Sequence, residues 1–357
     1  MTIEWLAGNR IRGTTAERPN FGLPSGSVGG WVEVGRTTLG SDTATVDVSS
    51  IPDKRYYMVL MDYTQTTDFS ALHRLGNSSI DTGNNYNNRQ STDGGSDSTG
   101  QATWVRVDNG WQSGDRKLAV EYIANKSNKE KLIMNHMVRS VTTGASQAPQ
   151  RSEVVSKWVN TSNVLDKFQM MNVSSGDFAS GSECVVLGWD PADTHTSNFW
   201  EELASVNGDG TGGFDTGTFT SKKYLWVQAY LDPSTSARNN FRVGNTTIDI
   251  GSNYANRYNT DGLNETPIGS QTIIRPNASS YSTPSFFNMF IINNSANEKL
   301  VIGHTVIQNT AEASTAPNRI EFVSKWADIS NQIDIIEAFP SSGNYSTTSQ
   351  IKVWGAD

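Results

Sequence analysis

The sequence holds a single cysteine, Cys184, in 357 residues. One thiol cannot close an intrachain disulfide, so a small stapled scaffold is excluded. Its neighbours Val185, Val186 and Leu187 make it a small buried hydrophobe. Charge is also scarce: Asp, Glu, Lys and Arg make up 18% of the chain, with a net charge of −8. A general nucleic-acid binder needs a basic surface to displace counterions, so no nucleic-acid partner is expected. No apolar run approaches the ~18 residues that span a membrane, which predicts no membrane partner. Met1-Thr2-Ile3-Glu4-Trp5 opens no basic-then-apolar signal peptide, which predicts synthesis in a cytoplasm. No phosphate loop, nucleophile elbow, dinucleotide fingerprint or His-Glu-x-x-His pair occurs, and no enzymatic activity is expected.

What the chain does have is uncharged polarity and rings. Asn, Ser, Thr and Gly supply the polarity, while 10 Trp, 11 Tyr and 13 Phe supply material for cores. It also has a repeat. Arg74-Leu-Gly-Asn-Ser-Ser-Ile-Asp81 through Thr92-Asp93-Gly94 recurs as Arg242-Val-Gly-Asn-Thr-Thr-Ile-Asp249 through Thr260-Asp261-Gly262, with 13 of 21 positions identical. The offset is 242 − 74 = 168, and it carries His136 onto His304 and Lys157-Trp158 onto Lys325-Trp326. A period this long marks duplicated domains rather than a solenoid. The expected organisation is an extended N-terminal arm over 1–28, one domain over 29–190, a linker over 191–197 and a second domain over 198–357.

Each domain reads as all-β. Tyr56–Tyr63 faces Tyr224–Leu231, Leu118–Ile123 faces Phe286–Ile291, and Leu132–Val138 faces Leu300–Val306. These runs are short, rich in β-branched and aromatic residues, and bounded by Gly, Asn, Ser and Pro. Asn125–Asn128 and Asn293–Ala296 read as hairpin connections. Eight to ten such strands per copy predict two tandem homologous β-sandwich domains of jelly-roll-like type.

The best-kept motif is Ile-Asp-x-Gly-x-Asn-Tyr-x-Asn-Arg-x-x-Thr-Asp-Gly. Two readings of it are open. Asp81, Asp93 and Asp97 fall on Asp249, Asp261 and Glu265, and such oxygens in long loops can ligate Ca²⁺. Otherwise the motif is a structural turn, with Gly83, Gly251, Gly94 and Gly262 at positive φ and Arg89 and Arg257 each paired with an Asp. No other cofactor is implied. His136 and His304 repeat inside apolar strands, whereas His73 and His195 do not repeat. Four histidines and one cysteine cannot make two equivalent zinc sites, one per copy. Both repeated histidines therefore read as packed. Trp158 and Trp326 read as core. Trp104 and Trp111 are the candidates for stacking on a sugar, and Glu201-Glu202 has no counterpart that would make an acid pair.

Residues 1–28 belong to neither repeat, and Leu6-Ala-Gly-Asn9-Arg10-Ile11-Arg12-Gly13-Thr14 through Arg18-Pro19 is too polar to fold alone. Together with the duplicated, cysteine-poor sandwich, this stretch resembles virion structural proteins of marine tailed bacteriophages, which begin with a similar segment ahead of β-sandwich domains. The resemblance implies a non-enzymatic capsid decoration or cement protein, localised to the virion and bound to the major capsid protein or other virion proteins. It implies Asn9, Arg10, Arg12 and Arg18 as the partner-binding residues of the arm. The alternative it leaves is a tail-fibre or adhesin module that binds host glycan. Two similar domains per chain also suggest a homo-oligomer, with a trimer placing six sandwiches around one axis.

Overall fold

Strands such as Tyr56–Tyr63 are apolar at nearly every position and need cover on both faces. Thr45–Val48 alternates and needs cover on one. The computed structural model meets both demands. It describes residues 30–108, 113–172, 175–190, 198–263, 265–276, 279–310, 313 and 315–357, and every regular element among them is a strand. The arm with its Asn9, Arg10, Arg12 and Arg18 and the linker 191–197 lie outside the described residues.

Thirteen strands between Val32 and Trp189 form the first sandwich, and twelve between Glu201 and Ala356 form the second. Two-residue pairings such as Ser79–Ile80 make up most of the excess over eight to ten. The large sheet of the first sandwich has eight strands, in the order Val32–Thr38, Glu183–Trp189, Tyr56–Thr64, Arg116–Ala124, Lys131–Arg139, Gln150–Trp158, Tyr86–Thr92 and Ser98–Ala102. Its partner sheet holds Thr45–Ser49, Lys167–Asn172, Ala71–Asn77 and Ser79–Ile80, with Val105–Arg106 against Ala71–Asn77. The second sandwich repeats the eight-stranded order with Glu201–Asn207, Gln350–Ala356, Tyr224–Leu231, Ser285–Ile292, Lys299–Ile307, Asn318–Trp326, Tyr254–Thr260 and Thr266–Gln271. Its small sheet holds Phe214–Asp215, Ile335–Pro340, Asn239–Asn245 and Thr247–Ile248. Successive strands cross between sheets in jelly-roll fashion, and among the described residues no sheet mixes strands of the two copies.

The copies agree in register. His136 lies opposite Val120 and Glu153, and His304 lies opposite Asn288 and Glu321. Even the irregularities repeat, as bulges at Glu33/Gly35 and Glu202/Ala204. The hairpin after Tyr86–Thr92 turns at Asp93 and Gly94, both at positive φ (48° and 68°), and Gly95 N–H donates to Thr92 O at 2.9 Å. Asp-Gly is the pair that such a turn selects. Asp261 and Gly262 do the same. Gly83 and Gly251 are a correction to the expected turn, because neither has positive φ among the residues that do. A Cβ on Gly83 would instead meet the Asn85 amide at 2.7 Å.

Three apolar layers hold the chain together. Tyr57, Val59, Phe168 and Trp158 are among those filling the first sandwich. Leu225, Phe241, Phe287 and Trp326 are among those filling the second. The third layer lies between the two large sheets and draws residues from both copies, including Leu60, Val120 and Val138 from one and Phe290, Ile302 and Trp354 from the other.

Candidate functional site

The junction between the sandwiches does not join like with like. On the first sandwich it buries Leu118 and Val138; on the second it buries Leu300, Ile302 and Val323. Applying the 168-residue offset shows what each surface leaves behind. Leu300, Ile302 and Val323 are buried, while their counterparts Leu132, Met134 and Val155 are 59%, 53% and 49% exposed. Leu118 and Val138 are buried, while their counterparts Phe286 and Val306 are 41% and 43% exposed. One half of the first sheet thus covers the opposite half of the second, and two complementary halves stay uncovered.

Polar groups fix this stagger. Tyr224 donates its hydroxyl to Glu183 at 2.7 Å, and Lys223 Nζ reaches Glu183 at 2.9 Å and Asp62 at 3.3 Å. Burial pushes the Glu183 carboxyl up, but donation from Thr38, Lys223 and Tyr224 outweighs it and holds the group at about 2. Lys325 Nζ, itself buried, donates to Ser140 O at 3.0 Å, and Ser270 N–H donates to Ala145 O at 2.6 Å. The counterpart of Lys325 in the first copy, Lys157, lies on the uncovered side instead.

That uncovered half is a shallow cavity of about 890 Å³. It runs across the whole large sheet, from Trp31 and Trp189 at one edge to Arg89 and Thr99 at the other. Tyr122, Leu132, Met134 and Val155 form its floor. Tyr56 stacks on Trp189 at 5.4 Å, which stiffens one wall. Contiguous exposed apolar surface of this kind marks a contact site more often than chance.

At the corner where the sheets separate, His136 and His304 meet edge to face, with ring centroids 4.5 Å apart and 77° between planes. Glu153 completes a group whose ligand atoms all lie within 4.8 Å of one another. Arg151 is the hub beside them. It pairs with Glu153 and Glu265, the latter through Nε at 2.6 Å, and reaches Glu321 at 3.2 Å. Its counterpart Arg319 is exposed and 3.7 Å from Glu321. Burial, with Arg151 nearby, pushes His136 down to about 4; burial and the neighbouring His136 push His304 down to about 3. Glu153 is pushed up to about 7 by burial and by Glu321 and Glu265, against the pull of Arg151.

No protein family matches the sequence. No curated protein matches it either. Among solved structures, domains LG4-5 of the mouse laminin alpha1 chain align over 90% of this chain and 88% of that one, at 8% identity and a TM-score of 0.19. Ail, the attachment invasion locus protein of Yersinia pestis, aligns over 81% of this chain and 99% of its own, at 5% identity and a TM-score of 0.13. Neisserial surface protein A gives 7% identity over 81% and 99%, also with a TM-score of 0.13. Likenesses this slight support no argument about fold or function.

The carboxylates of the repeated motif do not come together. Asp81 precedes the strand Tyr86–Thr92 and Asp93 follows it, so seven extended residues separate them, roughly 20 Å. Asp81 accepts from Trp158 Nε1 at 2.8 Å, from Asn85 and from Gly83 N–H. Asp249 repeats this with Trp326 at 2.7 Å. Asp93 accepts from Arg151 N–H and pairs with Arg257 across the junction, while Asp261 accepts from Arg319 N–H. Asp97 pairs with Arg89 at the surface and Glu265 with Arg151. The motif is thus a set of turns and pairs, and the proposed Ca²⁺ grouping is not formed. Cys184, Trp158 and Trp326 are buried, as their surroundings in the sequence implied. His73 is sealed inside the first sandwich against Glu121 at 2.9 Å. Trp104 is half-buried under the Arg106 guanidinium, 4.9 Å from its ring, and Trp111 lies outside the described residues.

Proposed function

We propose that this chain is a non-enzymatic structural protein of a tailed-phage virion, of the capsid decoration type, that assembles by head-to-tail contact between copies. The observation that carries the assembly is the half-face of Leu132, Met134 and Val155. In the second sandwich the same half-face is covered, and what covers it is the other half of a sister sheet. The fitting occupant of the first sandwich is therefore the free half around Phe286 and Val306 of a second copy. Such a contact is heterologous and either closes into a ring, as in a trimer of six sandwiches, or runs on as a filament. Many weak contacts of this kind add through effective concentration on a particle surface. The phage setting rests on the resemblance of residues 1–28 together with the sandwich pair.

The assembly is tested by sedimentation across a concentration series. The intact chain should form higher species, and Met134→Asp or Val306→Asp should each hold it monomeric. Mixing the two variants should give a dimer and nothing larger, because one intact half-face remains on each. A chain that stays monomeric throughout would remove the head-to-tail contact. If that monomer bound glycans through the aromatic wall of Tyr56 and Trp189, the adhesin reading would take its place.

A further inference from the structure

The repeated histidines sit on the fifth of the eight strands in their large sheets, and they are one of the places where the two copies touch. Each brings a glutamate as its cross-strand neighbour, Glu153 beside His136 and Glu321 beside His304. Among the described residues neither ring makes a hydrogen bond, although both are largely enclosed. Between them is a cavity of about 10 Å³, lined by both histidines, Arg151, Glu153 and Glu321. A space of that size holds one water or one ion.

Charge points to the second. Three carboxylates, Glu153, Glu265 and Glu321, converge on the one enclosed guanidinium of Arg151, and Arg319 answers only from the solvent side. Negative charge left in excess at a poorly solvated place is costly unless a proton or a cation joins it. Calcium and magnesium prefer all-oxygen shells. Two imidazoles and a carboxylate with one position open are the donor set of tetrahedral zinc.

We infer that the junction is a binding site for one Zn²⁺ per chain, held by His136, His304 and Glu153, with Glu321 or a water as fourth ligand. Because each copy gives one imidazole, the ion ties the two sandwiches together and cannot be held by either alone. Arg151 keeps a place in the site by donating to the glutamates, the outer-shell role that orients metal-bound carboxylates.

The experiment is a titration of the metal-stripped full chain with ZnCl₂, read by native mass spectrometry and by calorimetry. One ion per chain is expected, with a rise in melting temperature that a chelator reverses. His136→Gln and His304→Gln should each weaken binding by more than about 100-fold. Co²⁺ in place of zinc should show the visible absorption of a tetrahedral nitrogen–oxygen site, lost in Glu153→Gln. Circular dichroism of each variant checks that it has folded; should a glutamine variant fail to fold, the Co²⁺ spectrum of the intact chain alone decides. The absence of a retained ion, or affinity unchanged in both folded histidine variants, would overturn the site.

Discussion

At the scale of residues, the molecule reuses a few side chains for unequal tasks. Glu183 shows the strongest case, a nearly enclosed carboxylate that Thr38, Lys223 and Tyr224 stabilise in its charged form. Its pKa in the folded chain lies below that of the unfolded chain. Its contribution is therefore present above about pH 4.5 and is lost as pH falls toward 2. Glu183→Gln should cost about 3 kcal/mol near neutral pH, and thermal unfolding followed from pH 6 to pH 2 should show the gap to the parent closing across that window. A constant gap would mean that shape, not charge, is what Glu183 supplies. Residue chemistry was legible in part. Trp158 and Trp326 could be assigned to the core because they lie in matching strand segments of the two copies, and Cys184 because it adjoins the apolar run Val185-Val186-Leu187. His136 and His304 could not be paired, since a search for one site in each copy misses a site shared between copies. Asp81 and Asp93 looked like common ligands because spacing along a chain does not reveal that a strand stands between them.

At the scale of elements, the strands were legible because their apolar runs come in pairs at one offset, and each pair constrains the other. What the pattern hid was the use of the second face. Leu132 and Leu300 are the same residue in the same register, and only docking decides which one is wet. The element most dependent on a particular residue is the strand Lys299–Ile307. Gly303 lies opposite Phe322, whose buried ring occupies the space over it; a Cβ there would fall 2.1 Å from the ring. The first copy has Asn135 against Val154 instead and needs no such gap. Gly303→Ala should therefore destabilise the protein by about 1–3 kcal/mol, while Asn135→Ala perturbs a different contact, its hydrogen bond to Glu121. Denaturant midpoints of the Gly303 variant measure this, and a midpoint equal to the parent's would show that Phe322 can swing aside.

At the scale of the whole molecule, the junction makes two sandwiches behave as one. An apolar layer with buried polar locks differs from the loose, wet contact usual between domains of one chain. Scanning calorimetry should show a single transition, and Val138→Asp, which places a charge in that layer, should split it into two. Two transitions in the parent would mean that the sandwiches melt independently despite their contact. The stagger also leaves a trace in the history of the chain. After a duplication, each copy drifts under its own pressures, and a position open to water tends to accept polar replacements. Position 132 is leucine like its sheltered twin at 300, and position 155 is valine like 323. The two copies thus carry the same residue at places where, within one chain, they do not share the same surroundings.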